Sequence, residues 1–406
     1  MPQYRAAWIL PISQPPIRDG WVRVERGRIV ALGPRRRGER TAPDEVDLGA
    51  VAVLPGLVNA HTHLELSWMR GRIPRTDRFP DWVRSLIDIR RGRNEATDPE
   101  AQSAIRESIV EAKRCGTALV GDISNTLASA IPLARSDVAA VVFRELIGFK
   151  SANVATLAEA ASRELAALPR NGTIRYALAP HAPYSVSPQL FRAIRSALMR
   201  EPFTPCSVHL GESVEEVEFL QSGGGVWRQL LEDLGAWDPS WVTPKCDPVE
   251  YLDRMGFVDD RLVAVHGVQL QPRALDRLAK RSATLVTCPR GNVLTGAGTP
   301  PISAFYKARV RVAVGTDSLA SVPDLNLFSE LAEVRRLASD IAGAAILQSA
   351  TLNGARALGF DADFGSIDPG KRAELIAVDV SPGSGDVEEF LLSGIQPDHI
   401  RWVGAS

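Results

Sequence analysis

The sequence predicts an α/β protein: a (β/α)8, TIM-like barrel carrying a small β-sandwich domain built from both ends of the chain. Three observations predict it. The middle of the chain alternates eight short apolar runs with longer amphipathic stretches, the pattern of parallel strands joined by crossover helices, and eight such units close into a barrel. Both ends read instead as short strands separated by turns. The length of 406 residues accommodates a barrel of about 250 residues with one further small domain.

The elements follow in chain order. Residues 21–25 alternate apolar and polar side chains, Arg26-Gly27 turns, and residues 28–32 form the next strand. The Arg35-Arg36-Arg37 run, between Gly33-Pro34 and Gly38, reads as a solvated loop. At the other end Gly365-Ser366-Ile367 leads through Pro369-Gly370-Lys371 to a strand over 373–378. Residues 1–54 and 359–406 are therefore expected to pair into one small β domain, with 55–358 as the barrel. The candidate barrel strands are 54–60, 118–121, 139–143, 174–178, 206–210, 262–265, 283–287 and 310–315. Helical patterns lie between them, at 101–113, 154–168, 188–199 and 275–279. The Gly-, Trp- and Pro-rich stretch 223–251 reads as a long loop after the fifth strand, of the kind that covers or shapes a site.

Composition narrows the function classes. A hydrophobic fraction of 45% with 23% charged residues is ordinary for a soluble enzyme. A formal net charge of -1 gives no global attraction to nucleic acid or to an anionic membrane. Cys115, Cys206, Cys246 and Cys288 are far apart and form no C-x-x-C pair, so they read as reduced, packed thiols. The N-terminal stretch lacks a signal-peptide apolar region, and no run approaches the roughly 18 to 20 apolar residues that span a bilayer. The expectation is a cytoplasmic protein with a small-molecule substrate and no nucleic-acid or membrane partner, a homo-oligomer remaining open.

The chemistry is carried by few residues. The chain has six histidines. His61 and His63 form an H-x-H pair at the end of the first candidate strand, and side chains two apart on a strand point the same way. His209 ends the fifth strand, His266 the sixth, and Asp317 follows the eighth. Barrel strands all open at their C-terminal ends onto one face, where active sites lie. Each residue alone has a structural explanation; their joint placement points to a metal centre. Imidazole and carboxylate suit zinc, with iron as the alternative, and a catalytic site leaves one position for water. Such a metal lowers the pKa of bound water from about 15.7 to roughly 7, making hydroxide at neutral pH. Glu212, three residues past His209, is placed to shuttle protons, and Asp317 to take one from the water. His266 is placed to orient the hydroxide or to hydrogen-bond a developing oxyanion.

These motifs resemble the amidohydrolase superfamily. The resemblance rests on Pro55-Gly56-Leu57-Val58-Asn59-Ala60-His61-Thr62-His63, His209-Leu210-Gly211-Glu212, the strand-end His266, Gly315-Thr316-Asp317-Ser318 and Ala350-Thr351-Leu352-Asn353-Gly354-Ala355, and covers nearly the whole chain. Binuclear members of that superfamily carry a bridging lysine at the end of the fourth strand. Here that position reads Ala179-Pro180-His181-Ala182-Pro183-Tyr184, which resembles the mononuclear deaminase and chlorohydrolase branch. The resemblance implies metal ligands at His61, His63, His209 and Asp317, a proton shuttle at Glu212 and a catalytic histidine at His266. His181 is similar to a substrate-contacting histidine of the S-adenosylhomocysteine and methylthioadenosine deaminases. Cys288-Pro289-Arg290-Gly291-Asn292 resembles their C-P-x-S-N, with glycine in place of serine.

Those deaminases carry a ribose-binding glutamate on the helix after the first strand, where this chain offers Trp82 and then Arg90 and Arg91. Trp82 and Arg144, which follows the third strand, are thus the remaining candidate substrate contacts, an arginine fork matching a carboxylate. The pattern His61-Thr62-His63-Leu64-Glu65-Leu66-Ser67 is similar to the aminodeoxyfutalosine deaminase group. The implied reaction is hydrolytic deamination of an aminated purine nucleoside or related heterocycle by metal-bound hydroxide. The alternative is a chlorohydrolase or other C–N hydrolase of the s-triazine, guanine or cytosine type. A cytidine-type zinc deaminase is excluded, because Pro205-Cys206 is not followed by x-x-Cys. A scaffold that has lost its metal is also excluded, since every ligand type is retained.

Overall fold

The computed structural model describes residues 2–36, 44–150, 154–200, 204–380 and 385–404. Of the arginine run, Arg37 lies outside the described residues, and Arg36 is exposed. Eight parallel strands form the centre: β1 (Leu57–Thr62), β2 (Thr117–Ser124), β3 (Ala139–Leu146), β4 (Ile174–Pro180), β5 (Cys206–Leu210), β6 (Leu262–His266), β7 (Thr284–Thr287) and β8 (Arg311–Val314). They pair in two four-stranded halves, β1-β2-β3-β4 and β5-β6-β7-β8. The halves meet at two seams. At one, His209 N donates to His181 O at 2.9 Å; at the other, Asp317 N donates to His61 O at 3.1 Å. The ring is thus joined at both seams by residues that the sequence singles out for chemistry.

Strand parity decides what faces inward. Leu119, Ile123, Val141, Phe143, Ala177 and Ala179 cluster on one side of the interior, and Ala60, Val263, Val265, Val286 and Ala313 on the other. Their alternate neighbours Ala140, Val142, Val208, Leu210, Ala264, Val312 and Val314 pack outward in the core shared with the helices, against residues such as Ile109, Leu190, Phe219 and Leu331. This is the two-sided burial that gives parallel strands continuous apolar runs. The helices start where capping chemistry permits. Pro99–Arg114, Pro188–Leu198 and Pro248–Arg254 each begin with proline, and Asp98, Ser187 and Asp247 accept hydrogen bonds from their first-turn amides.

The chain ends do meet. Leu375–Asp379 runs antiparallel to Val51–Pro55, and among the described residues the seven strands outside the barrel form one sheet around Ile9, Val22, Ile29, Val53 and Ile367. Two sequence expectations need correction. The run 54–60 is not one strand: it breaks at Gly56 between Val51–Pro55 of the small sheet and β1. A Cβ at Gly56 would stand 2.6 Å from Ala118 Cβ and 3.0 Å from the Trp402 ring. Both strands are buried throughout, so hydrophobicity alone gives no sign of the break. The stretch 223–251 is not a plain loop either. It carries the helices Gly225–Asp233 and Pro248–Arg254, and its aromatic residues are packed. Trp227 stacks on Tyr184 at 4.1 Å, while Trp237 and Trp241 pack against Phe149 and Phe219. Among the described residues no helix is long and apolar enough to cross a membrane.

Candidate metal centre

The strand ends bring His61, His63 and Asp317 together, with His209 beside His63. His63 Nε2 lies 3.2 Å from His61 Nε2 and 3.3 Å from His209 Nε2. Asp317 Oδ1 lies 3.7 Å from His63 Nε2 and 4.0 Å from His61 Nε2. Donors held at about 2.0 to 2.2 Å in a tetrahedral shell stand about 3.3 Å apart; ligand atoms of His61, His63 and Asp317 lie within 4.8 Å of one another and could hold a metal, and His209 adjoins them through His63 Nε2. Asp317 is aimed by two donors, Ser318 N at 2.8 Å to Oδ1 and Ser321 Oγ at 3.0 Å to Oδ2. Its backbone is left-handed, with φ of 63°, as is that of His266 at 77°. Non-glycine residues hold that conformation only where surrounding structure imposes it.

His266 and Glu212 stand beside the cluster. His266 Nε2 is 3.5 Å from Glu212 Oε1, and His266 Nδ1 is 2.9 Å from Asn292 Nδ2. Glu212 is buried but its carboxylate does not serve the adjacent helix. Glu216 does that: its carboxylate accepts from Gly211 N at 2.9 Å and from Glu212 N at 3.0 Å, while Ser213 Oγ caps Glu216 N. Glu212 is thereby left to face the site. The residue that departs from the C-P-x-S-N pattern, Gly291, abuts Asp317. A Cβ there would stand 3.2 Å from Asp317 Oδ2 and 3.6 Å from Ser321 Oγ, so the hydroxyl beside this carboxylate comes from Ser321 instead.

Burial sets the charge states. It pushes His61 and His266 well below the ordinary histidine range, aided by the neighbouring imidazoles, and takes His63 to about 3 and His181 to about 4. These rings are neutral and can offer a lone pair. His209 is the exception: burial alone would lower it, but its contact with the Glu145 carboxylate outweighs that and lifts it to about 9. Burial raises Glu212 well above the carboxylate range and also raises Asp317. A metal at His209 must therefore displace a proton below pH about 9, so affinity rises with pH. The expected slope is about tenfold per pH unit between roughly 6.5 and 8.5. Competition with a chelator across that range measures it, and a flat profile contradicts it.

The remaining predicted residues are spread around the rim. His181 lies with its ring 4.8 Å from that of His209, and its Nδ1 is 2.6 Å from Ser185 Oγ. Trp82 is buried in the helix Phe79–Arg90 and lines a cavity of about 280 Å³ with Arg75, Leu319 and Ser321. The arginines are engaged elsewhere. Arg90 pairs with Glu95 at 2.7 Å and Glu65 at 3.2 Å, and exposed Arg91 pairs with Asp88. Arg144 donates to Glu164 at 2.9 Å and to the carbonyls of Asn125 and Glu145. Its parity is the outward one of Ala140 and Val142, and its neighbour Glu145 takes the inward one.

Sequence reasoning missed Glu145. Its Oε1 lies 3.3 Å from His209 Nδ1. The signal that finds it is parity, since Ala139, Val141 and Phe143 point into the barrel two residues apart. Also missed was Glu65, a buried carboxylate that accepts from Ser124 Oγ at 2.6 Å and from Asn125 N at 2.8 Å.

The amidohydrolase family pattern matches residues 52–398. A 5-methylthioadenosine/S-adenosylhomocysteine deaminase of Syntrophobacter fumaroxidans is 30% identical over 375 residues, covering 89% of this chain and 80% of that protein. An aminodeoxyfutalosine deaminase of Deinococcus radiodurans is 31% identical over 353 residues, covering 84% of this chain and 81% of the relative. Among solved structures, an adenosine deaminase from Xanthomonas campestris with bound zinc superposes with a TM-score of 0.81 at 28% identity, covering 98% of this chain and 90% of the other.

Proposed function

Because this chain belongs to the amidohydrolase family, we propose that it is a metal-dependent hydrolytic deaminase of an aminated purine nucleoside or related heterocycle. The observation that carries the reading is the grouping of His61, His63 and Asp317, with His209 Nε2 against His63 Nε2 and the buried Glu212 beside His266. His61, His63, His209 and Asp317 are the ligands. Zinc rather than iron is supported by the zinc bound in the Xanthomonas structure. When bound, the metal supplies a water acidified to near neutrality.

The chain's own residues do the rest. Glu212, kept protonated by burial, delivers its proton to a ring nitrogen and so makes the adjacent carbon electrophilic. Asp317 takes a proton from the attacking water. With the Asn292 amide donating to Nδ1, His266 keeps its proton on Nε2 and points it at the oxygen being added. Asp317 then passes its proton to the exocyclic nitrogen, the C–N bond breaks and ammonia leaves, while the added oxygen yields its remaining proton to Glu212 and the ring carbon becomes a carbonyl. His181 and Trp82 are the substrate contacts retained by this reading. Arg144 is left out, because Glu164 and two carbonyls already hold its guanidinium.

Ammonia release by zinc-loaded protein tests the proposal. The panel is adenosine, methylthioadenosine, S-adenosylhomocysteine, aminodeoxyfutalosine, guanine and cytosine, with a chloro-s-triazine followed by chloride release. Turnover of an adenine nucleoside is the expected result. No ammonia from any member, by protein holding one metal per chain, overturns the deaminase reading; chloride release alone would transfer the chain to dechlorination.

A further inference from the structure

Three buried carboxylates, Glu65, Glu95 and Glu145, gather with the half-buried Arg90 on the rim between β2 and β3, and the proposed reaction uses none of them. Glu65 is 1% exposed and Glu145 4%. A buried carboxylate costs several kcal/mol unless it is paired and hydrogen-bonded, so the partners of Glu145 show what it is held for. Its Oε1 faces His209 Nδ1 at 3.3 Å, and its Oε2 accepts from Asn125 Nδ2 at 2.8 Å. Asn125 is itself fixed twice: its Oδ1 accepts from Arg90 Nη1 at 3.1 Å, and its N donates to Glu65 Oε1 at 2.8 Å. Arg90 is clamped by Glu95 at 2.7 Å and Glu65 at 3.2 Å. A continuous chain of polar contacts therefore runs from the helix Phe79–Arg90 through Asn125 and Glu145 to His209.

The chain ends on the ring nitrogen that matters. A neutral imidazole has one N–H and one lone pair, and the partner of one nitrogen decides which the other presents. His209 Nε2 points into the cluster, 3.3 Å from His63 Nε2. Nδ1 points away from it, at the His181 carbonyl 3.2 Å away and at Glu145. Both of those groups only accept, so Nδ1 keeps its proton, and the lone pair that a metal would take is the one exposed when Nε2 gives up its own. The other nearby imidazole, His181, has its Nδ1 occupied by Ser185 Oγ at 2.6 Å.

We propose that Glu145, oriented by Asn125 and Arg90, is a positioning residue that fixes the tautomer and ring angle of His209 and thereby strengthens its hold on the metal. The inference rests on the metal reading above. Carboxylates that accept from the far nitrogen of a ligating histidine raise its basicity, and their loss typically costs 10- to 100-fold in metal affinity.

The test is zinc affinity by chelator competition at a pH just above 9, where no proton on His209 competes in any of the proteins, together with the visible spectrum of the cobalt-substituted protein, for wild type, Glu145→Gln and Asn125→Ala. Glu145→Gln is expected to weaken zinc about 10- to 100-fold and to shift the cobalt bands, and Asn125→Ala to move both in the same direction by less. If Glu145→Gln does not fold, Asn125→Ala alone decides. Wild-type affinity and an unchanged cobalt spectrum in the variants would overturn the proposal, leaving the His181 carbonyl as the sole anchor of His209. Wild-type protein that takes up no metal fails the metal reading itself, and this inference with it.

Discussion

Glu212→Gln is expected to lower kcat by about 1,000-fold, in the middle of the range that a positioned general acid–base group contributes, with zinc content and fold unchanged. The separation of those effects follows from the geometry. The amides of Gly211 and Glu212 are held by Glu216, not by the Glu212 side chain, so the loop keeps its shape when Glu212 loses a proton site. A glutamine at this position would also fill the same buried volume. What it cannot do is carry a proton, and burial keeps the native carboxyl protonated well above the ordinary range for glutamate. Turnover numbers and zinc stoichiometry on the same preparation check the prediction. Retention of more than about a tenth of wild-type kcat would assign the proton transfer to another group.

How much of this is legible in the sequence depends on which physical pattern carries each residue. The barrel strands are legible because parallel strands are buried on both faces and stand out as short apolar runs; the run 206–210 has the observed bounds of β5, Cys206–Leu210. The same property hides the break at Gly56, where two fully buried strands adjoin. The approach of His61, His63 and Asp317, with His209 beside His63, is legible because strand ends of a barrel share one face, so position along the strand is enough to bring them near one another. Residues whose place depends on direction rather than position are harder. Arg144 and Glu145 are adjacent, and only the inward parity of Val141 and Phe143 tells that Glu145 reaches His209 while Arg144 turns toward the helix bearing Glu164. The helix Gly225–Asp233 is masked by its composition, since glycines flank it and only Trp227 and Leu231 mark its buried face. Glu65 stands in the sequence beside the H-x-H pair, yet its partners Ser124, Asn125 and Thr126 lie some 60 residues away, and no local pattern announces them.

Gly315→Ala is expected to damage both fold and metal binding, because it acts where the ring closes. A Cβ at Gly315 would stand 2.6 Å from His61 O, 2.8 Å from His61 Cβ and 2.9 Å from His61 N. These are mostly backbone atoms of a metal-cluster residue, which cannot rotate aside as a side-chain end would. The seam is also tied on both sides of the clash. Asn59 Nδ2 donates to Thr316 Oγ1 at 2.8 Å, Thr316 N to Asn59 Oδ1 at 3.1 Å and Thr62 Oγ1 to the Asp317 carbonyl at 2.9 Å. Relief therefore requires β1 and β8 to part, and parting them separates His61 and His63 from Asp317. Overpacking of this kind costs about 1–3 kcal/mol of stability, and displacement of the ligands is expected to weaken zinc by at least about 100-fold. Thermal midpoints of the metal-free variant and zinc retention on gel filtration separate the two effects. A zinc-replete, active Gly315→Ala protein would mean that the strands part without moving the ligands, and that the close approach at His61 serves closure of the ring alone.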